Sequence, residues 1–319
     1  MRPLWHDIDD DDAPRLGVAV SGGPDSLALL LLANTALPGR VVAATIDHGL
    51  RPEAADEAAM VGGLCERLGV LHHTVEVALE PGNTQDRARK ARYEALCRCF
   101  GEQGADTFAT AHHADDQAET LLMRFNRGSG LSGLAGIRAR TVLLSPEPLG
   151  EYLVVRPLLE WRREELAGIV ADAGLAPVQD PSNVDTRYDR VQVRRALADL
   201  PWLDPLAMAR SARHLQEAED AVRRSSADVY NRCTYREGET VWFHWGHART
   251  VEIEAVRLIL LEFGADVPRS SIARLIDQLM SEGAGSLGGV VARRAWHRDG
   301  PNSETDAWKF EKEPPRRTG

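Results

Sequence analysis

Lysine is almost missing from this chain: of its 38 basic residues only Lys90, Lys309 and Lys312 are lysines, and the rest are arginines. No lysine stands near a glycine-rich turn, which excludes the common P-loop, G-x-x-x-x-G-K-S/T, whose lysine reaches the β- and γ-phosphates. Cysteine is sparse as well. Cys65, Cys97, Cys99 and Cys233 show no C-x-x-C spacing, so neither a zinc ribbon nor an iron–sulfur site is expected and the thiols read as free and reduced. No apolar run approaches the ~20 residues of a membrane helix. Met1 to Asp12 has no basic n-region and no apolar core, Asp7 and Asp9 to Asp12 forming an acidic run instead. The expectation is a cytoplasmic protein with no secretory signal and no membrane partner. Excess positive charge is also lacking: the net charge is −10, which argues against a general nucleic-acid coat protein.

What the chain does carry is Ser21-Gly22-Gly23-Pro24-Asp25-Ser26, set between the apolar run 16–20 and a leucine-rich run over 27–32. A glycine turn at a strand-to-helix junction aims backbone N–H groups at an anion, and the helix adds its positive end. The hexapeptide therefore reads as a phosphate cradle. The pattern S-G-G-x-D-S resembles the pyrophosphate loop of the ATP pyrophosphatase family, whose members cut ATP between the α- and β-phosphates and adenylate an oxygen of the substrate.

Apolar runs and periodicity predict strands over 16–20, 41–46, 72–77, 106–111, 142–144 and 152–155, with helices over 25–36, 53–68, 84–103 and 114–126. Such alternation implies parallel βαβ units and an α/β fold with a doubly wound, mostly parallel sheet. Ligands of such sheets bind at the carboxyl ends of the strands. After the second strand comes Asp47-His48-Gly49-Leu50-Arg51, where Asp47 and His48 put polar groups at the place of an adenine or ribose. After the fourth comes Ala111-His112-His113-Ala114-Asp115-Asp116-Gln117-Ala118-Glu119-Thr120. On a helix from Ala114, the stripe Ala118, Leu121, Leu122 and Phe125 is expected to face the core. Asp116 and Glu119 then project roughly 100–160° away from it, with His112 just before them.

The blocks S-G-G-P-D-S, D-H-G-L-R, A-H-H-A-D-D-Q-A-E-T, Arg127-Gly128-Ser129-Gly130-Leu131-Ser132-Gly133-Leu134-Ala135-Gly136-Ile137 and Gln179-Asp180-Pro181-Ser182-Asn183-Val184-Asp185-Thr186-Arg187-Tyr188-Asp189-Arg190 stand in one order and spacing. In this the chain resembles the tRNA(Ile)-lysidine synthetase family over residues 16 to 195. After the last block the family continues with Asn where this chain has Val191, so no role of that Asn carries over. The resemblance implies ATP-dependent ligation of L-lysine to the wobble cytidine of an isoleucine tRNA with a CAU anticodon. It implies ATP binding by Ser21, Gly22, Gly23, Pro24, Asp25, Ser26, Asp47 and His48, with Mg2+ on Asp25 and Asp116. His112, Asp116 and Glu119 are the catalytic candidates. Contact with tRNA is implied for Arg92, inside an R-x-x-R-Y segment, and for Arg127, Arg187, Arg190 and Arg194. Family members are often dimers, and no homodimer interface is legible here.

Basic residues cluster on three predicted helices: Arg87, Arg89, Lys90, Arg92 and Arg98; Arg187, Arg190, Arg194 and Arg195; and Arg210, Arg213, Arg223 and Arg224. They make a phosphate-backbone surface an expectation. A catalytic domain over 1–200 is expected, then a small α+β, partly helical domain over 205–313 that contacts tRNA, and a disordered tail over 314–319. In the small domain the segments at Val290 to Ala292 and Trp308 to Phe310 read as two edge strands. Two other readings stay open: a 2-thiocytidine synthetase type, which depends on paired cysteines, and an adenine-nucleotide sensor without turnover.

Overall fold

The computed structural model describes residues 14–47, 53–77, 85–146, 149–178, 189–300 and 303–314. His48, Arg51, residues 179–188 with Arg187, and all of the expected tail but Pro314 lie outside the described residues. The chain forms two compact units that divide between Gln216 and Glu217.

In the first unit, strands β1 (Leu16–Ala19), β2 (Val41–Asp47) and β3 (Leu71–Glu76) alternate with helices α1 (Pro24–Ala36), α2 (Glu53–Leu68) and α3 (Gln85–Glu102). Then come β4 (Thr107–Ala109), α4 (Ala114–Asn126), the short α5 (Leu131–Leu134), the hairpin β5 (Arg140–Pro146) and β6 (Leu149–Val155), α6 (Arg163–Asp172) and α7 (Asp189–Ala198), and the division between the units falls within α8 (Pro205–Cys233). The sheet runs β3-β2-β1-β4-β6-β5. Every pairing in it is parallel except β5 with β6. No helix among the described residues is long and apolar enough to cross a membrane.

A parallel sheet covered on both faces reads as nearly continuous apolar sequence, and Val41-Val42-Ala43-Ala44 on β2 shows why. Val41 and Ala43 pack with Val18, Leu27, Leu30, Val61, Leu166 and Val170 on one face. Val42 and Ala44 pack with Leu96, Phe100, Phe108 and Val154 on the other. Burial of each such side chain contributes roughly 1.5–3 kcal/mol. Gly17 lets Phe100 approach the sheet, since a Cβ there would lie 2.7 Å from the ring. The strand order reverses between β1 and β4, which lie side by side with Leu16 opposite Thr107 and Val18 opposite Ala109. Their carboxyl ends open the crevice where α/β sheets take ligands.

Helix α4 departs from the sequence expectation. Its buried residues are Ala114, Gln117, Ala118 and Glu119, whereas Phe125 of the supposed core stripe is 70% exposed. The polar first turns are the inserted end, because Gln117 pairs with the Ile137 backbone through Nε2–H to O at 2.9 Å and Oε1 to N–H at 2.6 Å.

The second unit is an antiparallel sheet, order β7-β8-β11-β10-β9. It comprises β7 (Thr234–Glu237), β8 (Thr240–Phe243), β9 (Ala284–Leu287), β10 (Val290–Gly300) and β11 (Ser303–Lys312). Helices α9 (Arg249–Glu262) and α10 (Arg269–Ser281) lie against it, joining Phe243, Trp308 and Phe310 to Ile259, Leu260, Ile272 and Leu279 in one core. The two expected edge strands are instead the long interior hairpin β10–β11, and the edges are β7 and β9. Cross-strand ion pairs, Arg294 with Asp306 at 2.8 Å and Arg298 with Glu304 at 2.9 Å, put charge along these strands and hide their apolar alternation.

Candidate active site

At the end of β1 the chain turns through Gly22, φ 80°, a conformation that glycine adopts without strain. The turn is pinned on both sides. Val178 N–H donates to the Gly22 carbonyl at 3.0 Å; Ser21 N–H and Ser21 Oγ reach Ser26 Oγ at 3.1 and 3.2 Å, and Ser26 Oγ donates to the Gly23 carbonyl at 2.9 Å. Gly23 is the N-cap of α1 and makes no side-chain cap bond, with Pro24 in the first turn. The first N–H groups of α1 are thus left facing the crevice, a ready anion site. Asp25 stands in the same turn, and its Oδ1 is buried without a hydrogen-bond partner among the described residues.

At the neighbouring strand end, His112 and His113 face different surroundings. His112 Nδ1 lies 3.0 Å from Thr110 Oγ1. Burial lowers its pKa to about 4, against the opposing pull of Asp116 and with help from Arg156, Arg89 and Arg190. His113 caps α4 and is 1% exposed, with Nε2 at 3.4 Å from Asp25 and 3.5 Å from Asp116, and Nδ1 at 3.5 Å from Asp115. Burial alone would lower its pKa, but Asp115, Asp25 and Asp116 more than offset that and raise it to about 9. His113 is therefore an imidazolium at neutral pH, joining the phosphate turn to the acids of α4. Asp115 is half-buried, which would raise its pKa, yet it is held well below the ordinary carboxylate range by His113, the Arg163 N–H and Arg162.

Asp116 and Glu119 do share a face, as the helical spacing predicts, but that face is covered by α7. Glu119 is 1% exposed; its Oε2 accepts from Arg190 Nε at 2.6 Å and its Oε1 from Arg194 Nε at 2.7 Å. Arg190 Nη2 also donates to Asp116 Oδ1 at 2.6 Å, and Asp116 Oδ2 accepts the His113 N–H at 3.1 Å. Burial would raise the pKa of Glu119, but Arg194 and Arg190 together hold it below its usual value.

The structure thus brings together the turn Ser21–Ser26, His112, Asp116, Glu119, Arg190 and Arg194. Asp47 ends β2, half-buried. Arg92 lies on α3 with its guanidinium 5.9 Å from the Tyr93 ring centre. Arg127 caps the far end of α4, about 16 Å along the axis from Asp116. His113, Asp115, Arg162 and Arg163 complete the site and were not singled out from the sequence, although the His-His pair before an acidic helix start was a usable signal. Four carboxylates, Asp25, Asp115, Asp116 and Glu119, meet Arg162, Arg163, Arg190, Arg194 and the His113 cation, so the pocket has no surplus of negative charge.

The basic cluster on α8 is largely neutralised locally: Arg210 meets Asp204, Arg213 Glu160 and Arg223 Glu219. All four cysteines are free. Burial pushes Cys65 and Cys97 up to about 11 and raises Cys99, so these thiols are poor nucleophiles and poor ligands.

A glycine turn at the switch point of a doubly wound sheet, pinned by Ser26 and followed by a helix N-terminus, defines a PP-loop nucleotide-binding unit, and a family model described as the PP-loop domain matches residues 2–200. Within that class the chain belongs to the tRNA(Ile)-lysidine synthase family. It is 44% identical to the tRNA(Ile)-lysidine synthase of Novosphingobium aromaticivorans, with 100% of this chain and 94% of that one aligned. It is 37% identical to that of Zymomonas mobilis, over 95% and 90%. Among solved structures, the U34-tRNA thiolase NcsA from Methanococcus maripaludis shares the fold with a TM-score of 0.53 and 20% identity, over 64% of this chain and 72% of that one.

Proposed function

We propose that this chain ligates L-lysine to C2 of the wobble cytidine of a CAU-anticodon tRNA(Ile) in two steps, the first of which consumes ATP. The observation that carries the reading is that His113 stands 3.4 Å from Asp25 of the phosphate turn and 3.5 Å from Asp116 in the first turn of α4. One segment takes the nucleotide while the next can take an amine.

In the first step the cytosine O2 attacks the α-phosphate of ATP, an O–P bond forms, and the bond to the β-phosphate breaks. The N–H groups of Gly23, Asp25 and Ser26 and the hydroxyl of Ser21 hold the departing pyrophosphate as its charge grows. Asp25 Oδ1, buried and unpartnered, fits a Mg2+ ligand, since magnesium uses one or two carboxylates beside phosphate oxygens and water. Bound there, the metal supplies charge neutralisation on the pyrophosphate. Both oxygens of Asp116 are engaged by Arg190 and the His113 N–H, so Asp116 joins that set only once Arg190 leaves.

In the second step the lysine ε-nitrogen attacks C2 of the adenylated cytidine, and the C2–O bond breaks to release AMP. The ammonium, pKa about 10.4, is received by Asp116 and Glu119. Neither His112, whose pKa burial brings down to about 4, nor Glu119, held below its usual value by Arg194 and Arg190, is a strong base. One proton must nevertheless leave the ammonium, to a carboxylate or to His112, before its lone pair can attack C2. The adduct nitrogen then turns acidic and gives up the second as the C2–N bond forms and AMP leaves, with His112, neutral and oriented by Thr110, an uncharged acceptor. Glu119→Gln keeps the shape and removes the charge; it should bind ATP normally and lose lysidine formation by at least about a hundredfold. Unimpaired turnover by that variant removes Glu119 from the reaction.

A further inference from the structure

The amine-receiving carboxylates are not vacant in the free protein. Arg190 spans them, Nε on Glu119 and Nη2 on Asp116, each at 2.6 Å. Arg194 covers the other oxygen of Glu119 at 2.7 Å, and Arg163 Nη2 stands 3.7 Å from the same atom. A substrate ammonium needs two or three of these oxygens for its N–H donors, and every one of them already faces a cation or an N–H. Lysine cannot settle between Asp116 and Glu119 while Arg190 lies there.

The covering element is also weakly anchored by apolar burial. Val191 is the one buried residue among the described side chains of α7, so few apolar contacts tie this helix down and its arginine pairs to α4 are a main attachment. Arg190 and Arg194 are 43% and 31% exposed while the carboxylate between them is 1% exposed. An anion arriving from solvent meets the guanidinium groups before it meets the acid. An RNA phosphate offers arginine charge-assisted, bidentate bonds of the kind it makes to a carboxylate, and so can replace the pairs it breaks.

Resting on the proposed reaction, we infer that Arg190 and Arg194 are positioning residues that fill the lysine site until the tRNA backbone draws them off α4, so that tRNA and lysine bind with positive coupling. A ligand shifts such an equilibrium only by its difference in affinity for the two arrangements, and the coupling is reciprocal. The lysine site is thereby withheld until RNA is bound.

Lysine binding to the full chain is measured by calorimetry with and without an unmodified RNA stem-loop bearing a CAU anticodon. The wild type is expected to bind lysine about tenfold more tightly with the RNA present. Arg190→Ala should bind lysine about tenfold more tightly than wild type without RNA and show little further gain on adding it. Arg190→Lys, which keeps the charge but cannot bridge both acids, should fall between. In turnover, Arg190→Ala should lower the KM for lysine and raise the KM for tRNA, opposite shifts that general damage to the fold does not produce. Lysine affinity that is independent of RNA in the wild type overturns the inference, and that measurement needs no variant to fold. So does an Arg190→Ala protein that binds lysine no better than wild type. If wild type forms no lysidine at all, the proposed reaction fails instead; if lysidine forms but RNA leaves lysine affinity unchanged, only the coupling fails.

Discussion

His112 and His113 are consecutive, yet burial leaves one neutral while three carboxylates keep the other charged. The extended backbone of the α4 N-cap, φ −127° and ψ −177°, turns the two rings to different neighbours. For His113 a folded pKa of about 9 lies above the ordinary ~6.5. Its contribution to stability is therefore fully present below about pH 6.5 and is lost as pH rises through 9, up to about 3 kcal/mol in all. Urea unfolding at pH 6.5 and 9.5 should show this loss in wild type and a smaller one in His113→Gln; parallel losses would mean that His113 is not the group responsible. At this scale the acids were legible, because Asp116 and Glu119 lie three apart on one strongly amphipathic segment. The partners of Glu119 were not. Arg190 is 71 residues away in sequence, and no spacing rule tells an RNA contact from a cation already spent on a carboxylate.

The central strands β1 and β2 were legible because both their faces are buried, which makes each an apolar run and the turn after it a glycine or polar break. The boundaries of α2 and α4 fall at Glu53–Leu68 and Ala114–Asn126, where periodicity put them. Sequence reading failed where polar residues do structural work. In α4 the buried Gln117 serves the Ile137 backbone and the buried end shifts to the first turns, with Ala118 of the expected stripe buried and Phe125 exposed; in β10 and β11 paired charges mask two long strands. Close packing makes its own prediction. Gly17→Ala would push a methyl to within 2.7 Å of the Phe100 ring, and overpacking of this kind should destabilise the first unit by about 1–3 kcal/mol. Thermal unfolding checks it, and an unchanged midpoint would show that β1 and α3 can part at little cost.

For the whole molecule, a chain of net charge −10 acts on a polyanion. Several of its arginines are paired: Arg210, Arg213 and Arg223 on α8 with nearby acids, Arg190 and Arg194 on α7 with the acids of α4. On the proposed reaction, binding of RNA would exchange carboxylate partners for phosphate partners and so tie recognition to the opening of the amine site. The work would then divide among the phosphate turn for pyrophosphate, the acids of α4 for lysine and the arginines of α7 for RNA. The most direct test is to incubate the protein with ATP, L-lysine and unmodified CAU-anticodon tRNA(Ile), then digest the RNA and weigh its nucleosides. A cytidine heavier by one lysine less one water, formed only when all three substrates are present, is the predicted product. Unmodified cytidine after full incubation, or a cytidine gaining sulfur in place of lysine, would contradict it.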